Sequence, residues 1–185
     1  MKLGTVIFYK RIPTFLSWVQ RKVLKTQYSH CSVMAGFLLD KPMEFEASIK
    51  VSFHSYGDSP NYRDYYEPDV PYAVVYRILK NIRDEYEGKT YGFISWFTIF
   101  IRRIFEITLP KKYKDKVKGW NILWGWGVIC SELLWYYFDE LSLEMGWHKF
   151  HYELHKFNPS TFTPPDLAHL LDLNLIPYKK KNNYL

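Results

Sequence analysis

Between residues 30 and 56 the chain offers three extended segments in near-immediate succession. "HCSVMAGFLL" (30–39) reads as a strand ending at the turn signal Asp40-Lys41-Pro42. "MEFEAS" (43–48) and "KVSFHSY" (50–56) alternate with period two, the pattern of half-buried strands. "GTVIFYK" (4–10) is β-rich and short and adds an opening strand. Late in the chain "VICSELLWYYF" (128–138) opens a helix predicted over about 131–142, with Leu133, Leu134, Tyr137, Phe138 and Leu141 as its buried stripe. Strands first, a helical insertion next, and a cysteine-headed helix last predict an α+β fold. Its sheet is mainly antiparallel and packs on the helix that carries the cysteine at its N-terminus.

The remaining segments fit around this frame. "TFLSWVQRKVLKTQ" (14–27) has helical spacing, with Thr14 as its cap. "GDSPNYRDYYEPDVP" (57–71) has the residues of a loop, and "YAVVYRI" (72–78) reads as a strand running into a helix that stops at Gly88. "YGFISWFTIFIRRIF" (91–105) and the basic "PKKYKDKVKGW" (110–120) form an aromatic helical insertion at about 91–120, in an otherwise single domain over 1–185. The 91–105 segment suits a core helix, a lid or an interfacial helix. "FNPSTFTPPDLAHLLDL" closes the fold with a proline-marked turn and a short helix.

A chain of 185 residues with 48% hydrophobic residues can bury a core without staples, and its two cysteines allow one bridge at most. The formal net charge of +6 favours anionic surroundings. The basic residues are scattered, however, and carry no nucleic-acid motif, so they read as solvated faces plus a basic tail. The opening "MKLGTVIFYKRIPTF" lacks a signal-peptide core, and no apolar run reaches spanning length. The expectation is a protein made in the cytoplasm, with association with a virion as one route out.

Cys130 is the residue with chemistry to explain. Ser131 reads as an N-cap and Glu132 falls in the first turn, so the thiol sits where a helix N-terminus favours a thiolate. The same N–H groups can hold an oxyanion. A nucleophilic cysteine needs an imidazole and a group to orient it. On its strand, His30 shares a face with Tyr28 and Ser32, while Cys31 points the other way, which argues against a Cys31–Cys130 disulfide. Glu44 and Glu46 share one face of the next strand, and either can orient the imidazole.

The ordered set "GTVIFYK", "YSHCSVMAG", "FEAS", "GKTYGF", "VICSELLWYYF" and "FTPPDL" resembles the circularly permuted NlpC-like papain-fold cysteine hydrolases and amidases, in which His and Glu precede Cys. The resemblance runs from Gly4 to about Leu167. It departs from the family at Thr5, often Asp there, and at Cys31, usually aliphatic. It implies Cys130 as nucleophile, His30 as general base and Glu46 as the orienting carboxylate. It also implies Tyr91 as a pocket residue, and Ser131 beside the nucleophile is expected to touch substrate. The implied activity is hydrolysis of an amide or ester through an acyl-enzyme, with no cofactor and no metal. The substrate is a peptide or acyl-amide, with cell-wall peptide first and a lipid or acyl conjugate as the alternative. Partners are a cell-wall or membrane surface. A non-catalytic part of a larger, phage-like assembly is the contrasting reading.

His148, His151 and His155 also share a helical face. No Cys or Asp accompanies them at ligand spacing, and a straight helix cannot easily bring the third round one ion, so they read as a solvated or half-buried face. His54 and His169 carry no pattern of their own.

Overall fold

The structure is a computed structural model. It describes residues 1–10, 18, 21–22, 26–39, 41–47, 50–55, 63–90, 92, 97, 101, 104–105, 108–110, 112–113 and 128–181. Six strands form one sheet: β1 (Val6–Tyr9), β2 (His30–Leu38), β3 (Lys41–Ala47), β4 (Val51–Ser55), β5 (Arg63–Pro68) and β6 (Tyr178–Lys181). Their order is β4-β3-β2-β1-β5-β6, and every neighbouring pair is antiparallel. The described helices are α1 (Tyr72–Tyr86), α2 (Cys130–Glu144), α3 (His148–Leu154) and α4 (Pro164–Asp172), with a 3-10 turn at Pro159–Thr161 between the last two. The α+β class with an antiparallel sheet is therefore present. No described helix is long and apolar enough to cross a membrane.

The pleat sorts the strands into two unlike faces. Register places Phe8 beside Cys31, Val6 beside Val33 and Tyr66, and Val33 beside Phe45, so these side chains share one face. That face joins the helices in the main core. The opposite face near the start of β2 carries Tyr9, His30, Ser32, Glu44 and Glu46. α2 lies across the apolar face against β2 and β3, and also meets α1, α3 and α4. Its predicted stripe, Leu133, Leu134, Tyr137, Phe138 and Leu141, is buried, and Trp135 is buried with it. Burial of such side chains contributes about 1.5–3 kcal/mol each.

The opening turn is clamped by this helix. Gly4 has φ +80°, and a Cβ there would lie 2.7 Å from both Tyr137 Oη and Val75 Cγ1. Only glycine meets both demands without strain.

Three expectations fail. Residues 63–68, placed in a loop, form β5, bonded to β1 and β6. Arg63, Asp64 and Pro68 resemble loop residues, but Asp64 is neutralised by Lys10 at 2.6 Å and accepts from Tyr28 Oη at 2.6 Å, which lets the strand be buried. Residues 72–78, placed in a strand, are helical: Val75, Ile78, Leu79, Ile82 and Tyr86 form one buried stripe, and that period outweighs the β-branched residues. The basic tail contains β6, whose lysines are exposed along the sheet edge. The 14–27 helix lies mostly outside the described residues; Trp18, Arg21 and Lys22 within it are helical. Most of the 91–120 insertion lies outside them as well.

Candidate active site

Cys130 is the first residue of α2. Ile129 before it is extended (φ −92°, ψ 159°) and occupies the cap position expected for Ser131. The Glu132 carboxylate turns back to accept from the Ile129 N–H at 3.4 Å, the return half of a capping box. Ser131 is buried and donates to the Phe162 carbonyl at 2.6 Å, so it pins the helix start to the turn before α4. On the approach side, the Val128 N–H donates to the Thr90 carbonyl at 3.0 Å, and the Val128 carbonyl accepts from Gly92 at 3.1 Å. Thus Cys130 is fixed before and after its own position. Tyr91 lies outside the described residues, as does the aromatic 120–127 stretch.

His30 is the first residue of β2, opposite Tyr9. Its Nε2 lies 2.5 Å from Glu46 Oε2. Cys130 is the neighbour whose charge and hydrogen bonding act most strongly to raise the His30 ring. The structure therefore brings Cys130, His30 and Glu46 together from α2, β2 and β3. Glu44 is buried on the same face but accepts from Ser32 Oγ at 2.5 Å and from Tyr9 Oη. Of the two glutamates, Glu46 is the one on the imidazole. Burial pushes the Glu44 carboxyl up, against its hydrogen bonds from Ser32 and Tyr9 and the Arg63 charge.

Cys31 adds a neighbour that the sequence reading did not foresee. Alternation does put it on the face opposite His30, but that is the face on which α2 docks. Its thiol comes near enough to Cys130 to be the leading influence on that thiol, and both cysteines are free. The periodicity of one strand says which face a side chain takes, and tertiary packing decides what arrives there.

The electrostatics follow from this packing. The Cys130 thiol is held well below its ordinary range by hydrogen bonding from Cys31, then by the charge and hydrogen bond of His30, against the opposing effect of burial. Burial alone would lower His30. The Cys130 thiolate, with Glu46 behind the ring, instead holds the imidazolium well above its ordinary range. Cys31 is pushed well up by burial and by the neighbouring thiolate, so it remains a neutral donor. The first-turn N–H groups also favour the anion on Cys130. Both shifts favour a thiolate–imidazolium pair, with the Glu46 carboxylate on the ring.

His54 is a member that sequence spacing did not single out. It faces Glu44 across the β3–β4 ladder, and its Nε2 lies 3.8 Å from Glu46 Oε1 and 2.9 Å from Ser52 Oγ. Period-two alternation was the available signal: Ser52 and His54 occupy the register positions paired with Glu46 and Glu44.

A second histidine–carboxylate cluster lies elsewhere. His155 Nε2 is 2.6 Å and His151 Nδ1 is 3.3 Å from Asp139 Oδ1. Asp139 belongs to α2, so the neighbouring helix supplies the acid that spacing along α3 lacked. His148 is exposed and is not part of this group.

No protein-family model matches the chain, and no curated protein matches it.

Proposed function

We propose that the protein is a thiol hydrolase of the permuted NlpC-like papain type, cleaving amide or ester bonds through Cys130, His30 and Glu46. The observation that carries this reading is one imidazole joined to Cys130 and held by Glu46 at 2.5 Å, with the thiol at the first residue of a helix. The Cys130 thiolate adds to the substrate carbonyl, and the first-turn N–H groups receive the developing oxyanion. Collapse breaks the C–N or C–O bond, and His30 gives its proton to the departing amine or alcohol. Water then attacks the thioester while neutral His30 takes its proton. Loss of the carboxylic acid returns the thiolate and the imidazolium.

Peptide amides of an anionic cell wall are the first substrate class, in keeping with the net charge of +6. Acyl conjugates at a lipid surface are the second. They are favoured by Phe97, Ile104, Phe105 and Tyr113, helical residues of the insertion with exposed side chains. Cell-wall peptide fragments and a p-nitrophenyl ester series of rising chain length distinguish the two. Iodoacetamide labelling across pH 5–9 tests the class itself. Rapid acid-side labelling of Cys130 that slows in His30→Ala supports the reading. Labelling at free-thiol rates, indifferent to His30→Ala, sinks it.

A further inference from the structure

We propose that Asp139, His151 and His155 form a binding site for a divalent transition-metal ion of the zinc class, bridging α2 and α3. His151 and His155 stand four residues apart, so one helical turn puts both imidazoles on the same side. Their ring centroids lie 4.2 Å apart. Asp139 arrives from the neighbouring helix with Oδ1 2.6 Å from His155 Nε2 and 3.3 Å from His151 Nδ1. One donor atom from each residue lies within 4.8 Å of the other two. Ligands about 2.0–2.2 Å from a tetrahedral ion sit roughly 3.3–3.6 Å from one another, so small adjustments of three side chains suffice.

The donor set and its setting select the ion. Two imidazoles and one carboxylate oxygen suit zinc, copper or nickel rather than magnesium or calcium, which prefer oxygen alone. The Trp135 ring packs edge-on against His155 at 5.0 Å and holds that imidazole in place, while the Ser142 hydroxyl, 3.1 Å from His151 Nδ1, gives up that contact when an ion takes the nitrogen. His155 is exposed, which gives an ion access and leaves a position for water. Asp139 lies nine residues along α2 from Cys130, about 13–14 Å of helix rise, so the site is separate from the thiol. The ion would fasten α3 to the far half of the helix whose start carries the nucleophile.

A zinc ion can also be taken by a thiolate beside an imidazole, so the test removes that competitor. Zinc chloride is titrated calorimetrically into the full chain carrying Cys130→Ala, and into the same chain with His155→Ala, His151→Ala or Asp139→Asn added. The expected result is one saturable zinc per Cys130→Ala chain, with affinity reduced at least tenfold by each added change. Zinc should also raise the thermal unfolding midpoint of the Cys130→Ala chain, with the rise lost in the His155→Ala double variant. Circular dichroism confirms that each variant is folded before titration. No saturable binding to the Cys130→Ala chain overturns the proposal, and so does binding that survives all three added changes.

Discussion

Among the described residues, histidine meets carboxylate in two separate regions, and the surroundings of the two differ. His30 meets Glu46 at 2.5 Å and His155 meets Asp139 at 2.6 Å. The His30 and Glu46 side chains are 13% and 14% exposed, while His155 and Asp139 are 46% and 25% exposed. Burial makes the first pair responsive to its third neighbour: with little water to screen it, the Cys130 thiol is held low and the His30 imidazole high. The second pair has water on one side and a second imidazole on the other, an arrangement that favours capture of an ion. Residue identity sets the range of chemistry, and depth in the fold chooses within it.

The comparison breaks most sharply at the nucleophile. Cys130→Ala should reduce hydrolysis to the uncatalysed background, and His30→Ala should lower kcat by about 10²–10⁴-fold. His148→Ala, on the same helix as the surface pair but outside it, should leave kcat unchanged. Steady-state rates on the preferred ester or peptide check all three. In stability the same contrast recurs. Phe138→Ala, at a fully buried position between α2 and α3, should cost about 3–5 kcal/mol in urea unfolding. His155→Ala should cost less than about 1 kcal/mol without metal, the scale of an exposed ion pair.

Legibility in the sequence followed a similar division. β1 to β4 and the buried stripe of α2 were readable because their periodicity is local and agrees with their burial. β5 was hidden because Arg63 and Asp64 are core residues only once Tyr9, Lys10 and Tyr28 surround them. In α1, the run Tyr72 to Ile78 imitates a strand until the buried stripe along the full fifteen-residue helix is traced. Cys130, His30 and Glu46 could be named from the sequence, whereas the nearness of Cys31 to Cys130 and of Asp139 to the α3 histidines could not, for one shared reason. Each gains its neighbour through the docking of α2, and no spacing along a single element encodes that event.

Glu46→Gln gives a milder perturbation. It keeps the shape and one hydrogen bond but removes the charge, and should lower kcat about 10–10²-fold, the worth of a charge-assisted bond. It should also bring the His30 titration down, readable as an alkaline limb shifted to lower pH. The sign follows from the pair. Because Cys130 is depressed, its thiolate survives as pH falls until the folded-state value is crossed. Because His30 is raised, its proton survives as pH rises until that higher value is crossed. The reactive pair therefore spans the interval between them. Cys31→Ala should give the smallest effect: the acid limb of Cys130 alkylation moves up toward an ordinary thiol, because its leading hydrogen-bond donor is gone. An unmoved acid limb would assign the depression to His30 and the helix start alone.

The nucleophile and its base are separated by 130 − 30 = 100 positions of a 185-residue chain. Contacts of such span close late and slowly, since loop-closure entropy must be met before they form. A chain emerging during synthesis can complete β1 to β5 and α1 before Cys130 exists to meet them. Until α2 settles on the sheet, Cys130 is an unremarkable thiol with neither a proton acceptor nor an oriented ring beside it. Under the proposed reading the fold would act as its own safety catch, and the onset of acid-side thiol reactivity would time the docking of α2 on the sheet.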